Sequence, residues 1–254
     1  MILTVDIGNS NVTLGGFSGD EISFVARIST DSTATEDDYA CRILNILSLY
    51  NIDKAIIDGA IISSVVPQLN GIISGAIKKI ASIDALLVGP GIKTGIKIQC
   101  DNPASVGADL ICASVAVHFI YGTPALIVDM GTATKITFVD RSGAFIGTSI
   151  MPGVYMGLSA LSEKTAQLPK VSLDAPCSII AKNTADCMKS GVIFGNASMV
   201  DGMIERIKSE TKENVSVYLT GGVANLIYPH CKSKMILDEH LALKGLNIIY
   251  KRNK

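Results

Sequence analysis

The sequence predicts an α/β protein built as two related lobes, each a mixed β-sheet with helices against it. Three observations lead there. Hydrophobic residues make up 48% of the chain and fall in many short Ile/Val/Ala runs, the pattern of sheets buried on both faces. The order of elements is a β-hairpin followed by α/β alternation, and near the middle of the chain that order starts again. The two starts share a signature. "TVDIGNSNVTLGGF" (4–17) and "IVDMGTATKITFVD" (127–140) both read apolar–Val–Asp–x–Gly–small–x–x and then an apolar strand. Asp6 matches Asp129, and Gly8 matches Gly131. A repeat at this scale suggests lobes facing each other across a cleft, with expected bounds 1–116 and 117–254.

In order, residues 4–30 read as strands broken by Gly and Asn. Thr33 and Glu36 have capping-box spacing. After them Tyr39, Ile43, Ile46, Leu47 and Tyr50 form one apolar face at helical spacing. "AIIDGAIISSVV" (55–66) reads as one or two buried strand segments. Pro67 suits a first helical turn, with Leu69, Ile72, Ile73, Ala76, Ile77 and Ile80 inward. "ALLV" (85–88) is a further strand. In the second half, 125–150 reads as three strands with tight turns, followed by helices over roughly 152–166 and 184–209. A strand "VSVYLTGG" (215–222), a short helix, "KMILD" and a last helix "ALKGLNIIY" complete the chain.

Composition excludes several classes. The chain has 254 residues and a net charge of −1, without the clustered Lys and Arg of a nucleic-acid footprint. The short basic "YKRNK" end reads as solvated. "MILTVDIG" has no basic leader and meets Asp6 early. No apolar run approaches the ~18 residues of a membrane span. A soluble cytoplasmic protein is expected. The six cysteines form no C-x-x-C pair, and most are expected to be buried small apolar residues in a reducing compartment. His118, His230 and His240 are scattered and match no metal or catalytic pattern.

The chemistry concentrates in the hairpins. A D-x-G turn gives glycine freedom and close backbone approach to a ligand. Asn9, Ser10, Asn11, Thr132 and Thr134 add small polar donors, and successive turn N–H groups can make an anion nest suited to phosphate. A carboxylate beside such a nest repels phosphate unless a cation such as Mg²⁺ lies between. The plainer reading is a hairpin whose Asp caps its own turn; two matched copies plus a late "LTGG" (219–222) favour the ligand. Gly221 and Gly222 would let a nucleotide lie against backbone near a helix start, although such a pair also serves as a simple turn. In "CDNPASVGADLICASVAVHF" (100–119), Asn102 and Pro103 read as a helix start. Asp109 then sits early in that helix, as dipole partner or as a general base. "GPGIKTG" (89–95) fits neither the dinucleotide fingerprint nor the P-loop, because "IKIQCDNP" after it reads as extended.

Taken together these pieces resemble the acetate and sugar kinase/Hsp70/actin superfamily, and within it the type III pantothenate kinases. The resemblance runs nearly end to end through "DIGNSN" (6–11), "DNPASVGAD" (101–109), "DMGTAT" (129–134), "TAQLPKV" (165–171), "NTADCMKSG" (183–191), "TGG" (220–222) and "LALKGLNIIY" (241–250). It implies two ribonuclease-H-like lobes, a homodimer, and transfer of the ATP γ-phosphate to the primary hydroxyl of pantothenate, the first step towards coenzyme A. It implies Asp6, Gly8, Asn9, Ser10 and Asn11 in a first phosphate loop, with Asp6 handling Mg²⁺. Asp129, Gly131, Thr132 and Thr134 would form the second loop, with Asp129 on a monovalent cation (K⁺ or NH₄⁺). Gly221 and Gly222 would face the adenosine. Cys100, Gly107, Ala108, Leu110 and Thr184 hold the positions implied for pantothenate, and Asp109 that of the base.

Three positions depart from the family pattern. Leu110 stands where the pattern has Arg, removing a fork of donors. Cys100 stands for a tyrosine, and "DMGTATK" puts Lys135 where a threonine is usual. The first two lie on the acceptor side. They leave open a second reading, a nucleotide-binding paralogue whose acceptor is lost or altered (a regulator, or a kinase of another small hydroxyl compound). Retention of Asp109 opposes a dead enzyme, which has no need of a base.

Overall fold

The computed structural model describes residues 1–173 and 178–254. In chain order, strands β1 (Ile2–Ile7), β2 (Asn11–Ser18) and β3 (Glu21–Ser29) precede helix α1 (Glu36–Leu49). Then come β4 (Gly59–Ser64), α2 (Asn70–Ala81), β5 (Leu86–Leu87) and α3 (Ala108–Ala116). The second half holds β6 (Ala125–Met130), β7 (Ala133–Val139), β8 (Phe145–Pro152), α4 (Val154–Lys164) and α5 (Thr184–Thr211). It ends with β9 (Ser216–Thr220), α6 (Ala224–Ile227), β10 (Ile236–Leu237) and α7 (Leu241–Arg252). The chain divides into two compact units, 1–121 with 240–254, and 122–239.

In the first unit the sheet order is β3-β2-β1-β4-β5. β1 is antiparallel to β2 and parallel to β4. Strand alternation sends Leu3, Val5, Ile7, Val12 and Leu14 to one face, where Tyr39, Ile43 and Leu47 of α1 and Ile73, Ala76 and Ile77 of α2 complete a core. The other face carries Phe17 and Ile61 against Ile111, Cys112 and Val115 of α3 and Leu243, Leu246 and Ile249 of α7. The second unit repeats the topology: its sheet runs β10-β9-β6-β7-β8, with β6 antiparallel to β7 and parallel to β9. Leu126, Val128 and Met130 pack there with Val154 and Leu158 of α4, Ile193, Val200 and Ile204 of α5, and Ala224 and Ile227 of α6. The repeated hairpin thus begins a repeated sheet.

Several expectations need correction. The bound 117–254 differs from the compact unit at its C-terminal end, because α7 returns to the first unit. Gly245 of α7 lies so close to the Cys112 peptide of α3 that a β-carbon would collide with its carbonyl, which is how the two helices pack tightly. The cap of α1 is Thr35 rather than Thr33: Thr35 Oγ1 accepts from Asp38 N at 3.3 Å, and Thr35 N donates to Asp38 Oδ2 at 2.8 Å. The stretch 55–66 opens with a 3₁₀ turn, Lys54–Ile56, before β4. Pro103 likewise starts a 3₁₀ turn, and α3 begins beyond it with Gly107 as its cap. Of the cysteines only Cys112 is buried among the described residues; Cys41 and Cys187 are exposed, and Cys100 and Cys231 lie between. Cys41 and Cys187 sit on outward-facing positions of α1 and α5. The expectation for Cys177 lies outside the described residues.

Candidate active site

The first hairpin ends β1 and begins β2. Gly8 N donates to Asn11 O at 2.9 Å, closing the turn. Thr30, just after β3, ties it down: its Oγ1 donates to Gly8 O at 2.6 Å and its N to Ser10 O at 3.0 Å. Asn9, Ser10 and Asn11 are exposed. Gly8 does not use the left-handed region. Its value is room, since a β-carbon would stand 3.1 Å from Asn11 O.

Asp6 alternates with Val5 and Ile7, so it points to the face covered by α3 and α7. Its cross-strand neighbours are Thr13 on β2 and Ser63 on β4. α3 crosses that face with Cys112 fully covered. Burial pushes the Cys112 thiol far above its ordinary range, the charge of Asp6 pushes it further, the Ser63 hydroxyl acts in the opposite sense, and the charge of Asp109 adds to the rise. Ser63 Oγ is itself buried and has no partner at hydrogen-bond geometry. Two carboxylates, Asp6 from β1 and Asp109 one helical turn before Cys112, thus act by charge on one buried thiol.

The "GAD" stretch is built for that carboxylate. Gly107 O accepts from Leu110 N at 3.1 Å and Ile111 N at 3.3 Å, starting α3. Asp109 lies in the first turn, where the helix dipole favours negative charge. Its Oδ1 accepts from Leu110 N at 2.9 Å. A β-carbon on residue 107 would sit 2.5 Å from Asp109 Oδ1 and 3.6 Å from Val65 Cγ1. Val65 in turn is held at the end of β4 by its N–H to Ile7 O, 3.0 Å. Gly107 thus leaves the space that the carboxylate uses. Asp109 is half-buried, Ala108 and Leu110 are buried, and Cys100 is partly covered in a bend upstream. Leu110 therefore places a methyl-bearing side chain in the interior where the family pattern has a guanidinium.

The second hairpin closes by Gly131 N donating to Ala133 O at 3.2 Å. Gly131, like Gly8, keeps a negative-φ backbone. Thr132 is exposed, whereas Thr134 Oγ1 is buried without a partner. The register sets Asp129 opposite Lys135 on β7 and beside Thr220 on β9. Lys135 Nζ donates to Asp129 Oδ2 at 2.7 Å, with the two side chains only 16% and 23% exposed.

The "TGG" turn packs directly on this hairpin. Gly221 has φ +102, and a β-carbon there would come within 2.5 Å of the Met130 backbone. Val223 N donates to Met130 O at 3.2 Å. Gly221 is thus held against the peptide preceding Gly131, while Gly222 is exposed. Thr184 is exposed at the first turn of α5, capped by Asn183, whose Oδ1 accepts from Asp186 N at 2.9 Å. Within the first unit, then, Asp6, Ser63 and Asp109 are brought together. Within the second, Asp129, Lys135, Gly131 and Gly221 are.

Sequence reasoning missed three supports. Gly153, the cap of α4, lies against the peptides of Gly131 and Thr132 so closely that any β-carbon would collide with the Thr132 carbonyl. Thr30 braces the first hairpin, and Ser63 lines the Asp6 corner. The Pro-Gly dipeptide in "MPGV" is a turn signal that points to Gly153; Thr30 and Ser63 carry no local signal.

A family model described as type III pantothenate kinase matches residues 2–206. The type III pantothenate kinase of Geotalea daltonii is 42% identical over 254 residues, covering 100% of this chain and 99% of that protein. Among solved structures, the activator of the 2-hydroxyisocaproyl-CoA dehydratase from Clostridium difficile, with bound ADPNP, matches with TM-score 0.58 at 14% identity, covering 98% of this chain and 93% of that one. A ROK hexokinase from Thermus thermophilus matches with TM-score 0.54 at 11% identity, covering 100% and 99%. At these identities the structural likeness concerns the fold, the two-sheet α/β architecture shared by actin-like ATPases and sugar kinases.

Proposed function

Since the chain belongs to the type III pantothenate kinase family, we propose that it moves the γ-phosphoryl group of ATP to the primary hydroxyl of pantothenate, giving 4'-phosphopantothenate at the head of coenzyme A synthesis. The observation that carries this reading is the corner where the ends of β1 and β4 meet the start of α3: Val65 N donates to Ile7 O at 3.0 Å, and the Gly107 position that makes room for the Asp109 carboxylate lies against Val65. Phosphoryl transfer needs positioning, charge neutralisation and a base for the hydroxyl, and one unit supplies the last two from β1 and α3.

Asp109 is the base. It takes the proton of the pantothenate hydroxyl as that oxygen attacks, and Gly107 keeps the space around its carboxylate clear. The exposed turn residues of the first hairpin, Asn9, Ser10 and Asn11, bind phosphate oxygens, and Thr30 holds that turn rigid. The second hairpin, through Gly131, Thr132 and Thr134, binds the nucleotide phosphates, and Gly221 and Gly222 lie along the adenosine. Asp6 fits a hard divalent cation, because Mg²⁺ takes one or two carboxylates together with phosphate oxygens and a second carboxylate stands in the same corner. When bound, Mg²⁺ supplies neutralisation of the phosphate charge. Thr184, Cys100 and the Leu110 position complete the reading of the acceptor side.

Asp129 does not fit a free K⁺ or NH₄⁺ in the same way, since Lys135 Nζ already holds its Oδ2. The reading also includes a homodimer in the cytoplasm. Ile150 on the edge strand β8 and Tyr155 and Met156 on α4 are 66%, 56% and 49% exposed, apolar surface of the kind a second copy covers. All five described cysteines are free, as in a reducing compartment. No helix among the described residues is long and apolar enough to cross a membrane.

A coupled assay of ADP release tests the proposal. With Mg²⁺ and ATP, turnover should require pantothenate and yield 4'-phosphopantothenate by mass. Tight ATP binding without pantothenate-dependent turnover would favour the paralogue reading opened by Leu110 and Cys100.

A further inference from the structure

The two hairpins are alike in topology and unlike in charge. In the first, the residue directly across from Asp6 is Thr13, a neutral hydroxyl. In the second, the residue directly across from Asp129 is Lys135, and its ammonium contacts the carboxylate at 2.7 Å. Directly opposed antiparallel residues have β-carbons within about 5.5 Å, so the strand register, rather than a chance rotamer, brings this pair together. Both side chains are largely covered, and a covered pair is screened much less by salt than an exposed one.

An alkylammonium is chemically a substituted NH₄⁺: one positive charge on a compact, three-donor head. We propose that Lys135 is the monovalent cation of this kinase, carried in the chain, so that catalysis needs no added K⁺ or NH₄⁺. The ammonium neutralises Asp129 beside the phosphate hairpin, which otherwise would set a bare carboxylate against the incoming nucleotide. It also disfavours a free cation, because that ion would meet a like charge on the same carboxylate. In the first hairpin the residue opposite the carboxylate, Thr13, brings no such charge. This inference rests on the kinase reading above.

The test measures pantothenate-dependent turnover in a choline background, then with K⁺ or NH₄⁺ titrated in. The affinity for a non-hydrolysable ATP analogue is measured by calorimetry in the same buffers. Wild type should change less than about twofold in either quantity. Lys135→Thr, and Lys135→Met which keeps the stem, should lose about a hundredfold in turnover in choline, the scale of removing one preorganised charge partner. Lys135→Thr should recover with NH₄⁺ or K⁺ and regain analogue affinity. Wild-type activity that appears only when K⁺ or NH₄⁺ is added would overturn the proposal while leaving the kinase reading intact. No turnover under any cation condition would instead count against the kinase reading. Because the wild-type titration decides by itself, a variant that fails to fold does not leave the matter open.

Discussion

Asp109 stands in the first turn of α3 with Oδ1 bonded to the Leu110 amide. Gly107 next to it is a positioning residue. Gly107→Ala should lower kcat with little change in ATP affinity, since the new methyl displaces the carboxylate; steady-state kinetics against both substrates would reveal the split. Cys112, by contrast, is a covered thiol held protonated by burial and by the charges of Asp6 and Asp109. Thiolates, not thiols, react. In the native protein a maleimide at mildly alkaline pH should modify Cys41 and Cys187 and spare Cys112, as read by peptide mass mapping. Labelling of Cys112 as fast as Cys41 would mean that the Asp6 corner is open to solvent.

At the scale of elements, close backbone approaches decide what is tolerated. Gly221→Ala adds a β-carbon to a residue at φ +102, against the Met130 backbone. Strain of this kind costs about 1–3 kcal/mol, so the denaturant midpoint should fall and ATP-analogue binding should weaken with it. Gly245→Ala should cost about 1–3 kcal/mol by forcing α7 away from α3, with the loss seen in the melting temperature. The turn entering α1 adds a pH effect. Asp31 accepts from Thr33 Oγ1 at 2.7 Å, from Arg42 at 3.0 Å and from Thr33 N at 3.0 Å. These partners lower its pKa to about 2. A folded value below the unfolded one means the contribution is present above the ordinary carboxylate range and is lost as pH falls towards about 2. Asp31→Asn should therefore be less stable than wild type near neutrality and converge with it in strong acid, measured by urea midpoints across pH.

Across the whole molecule, the legible features were those written in local pattern. The paired D-x-G signatures announced a repeated hairpin, and both sheets carry it in the same strand order. The period of Tyr39, Ile43 and Leu47 located the buried stripe of α1. What escaped depends on distant packing. The return of α7 to the first unit hangs on Gly245 meeting Cys112, a contact between residues far apart in the chain. The cap of α1 moved from Thr33 to Thr35 because two overlapping Thr-x-x-acid patterns compete there. Lys135 was visible as a departure, but its partner was not. The second turn (131–132) is one residue shorter than the first (8–10). Aligning the repeats residue by residue therefore sets Lys135 against Val12, and only the strand register brings it across from Asp129. Asp6 and Asp109 stand out in the sequence one by one, while the packing of the start of α3 against the ends of β1 and β4 comes only from the fold.

The central claim is that Asp109 takes the proton from the pantothenate hydroxyl during phosphoryl transfer. Single-turnover formation of 4'-phosphopantothenate by Asp109→Asn, with ATP-analogue affinity measured alongside, tests it most directly. The account predicts a rate lower by about 10²–10⁴-fold, the usual contribution of a general base, with ATP-analogue affinity unchanged. A variant that forms product at the wild-type rate would contradict it.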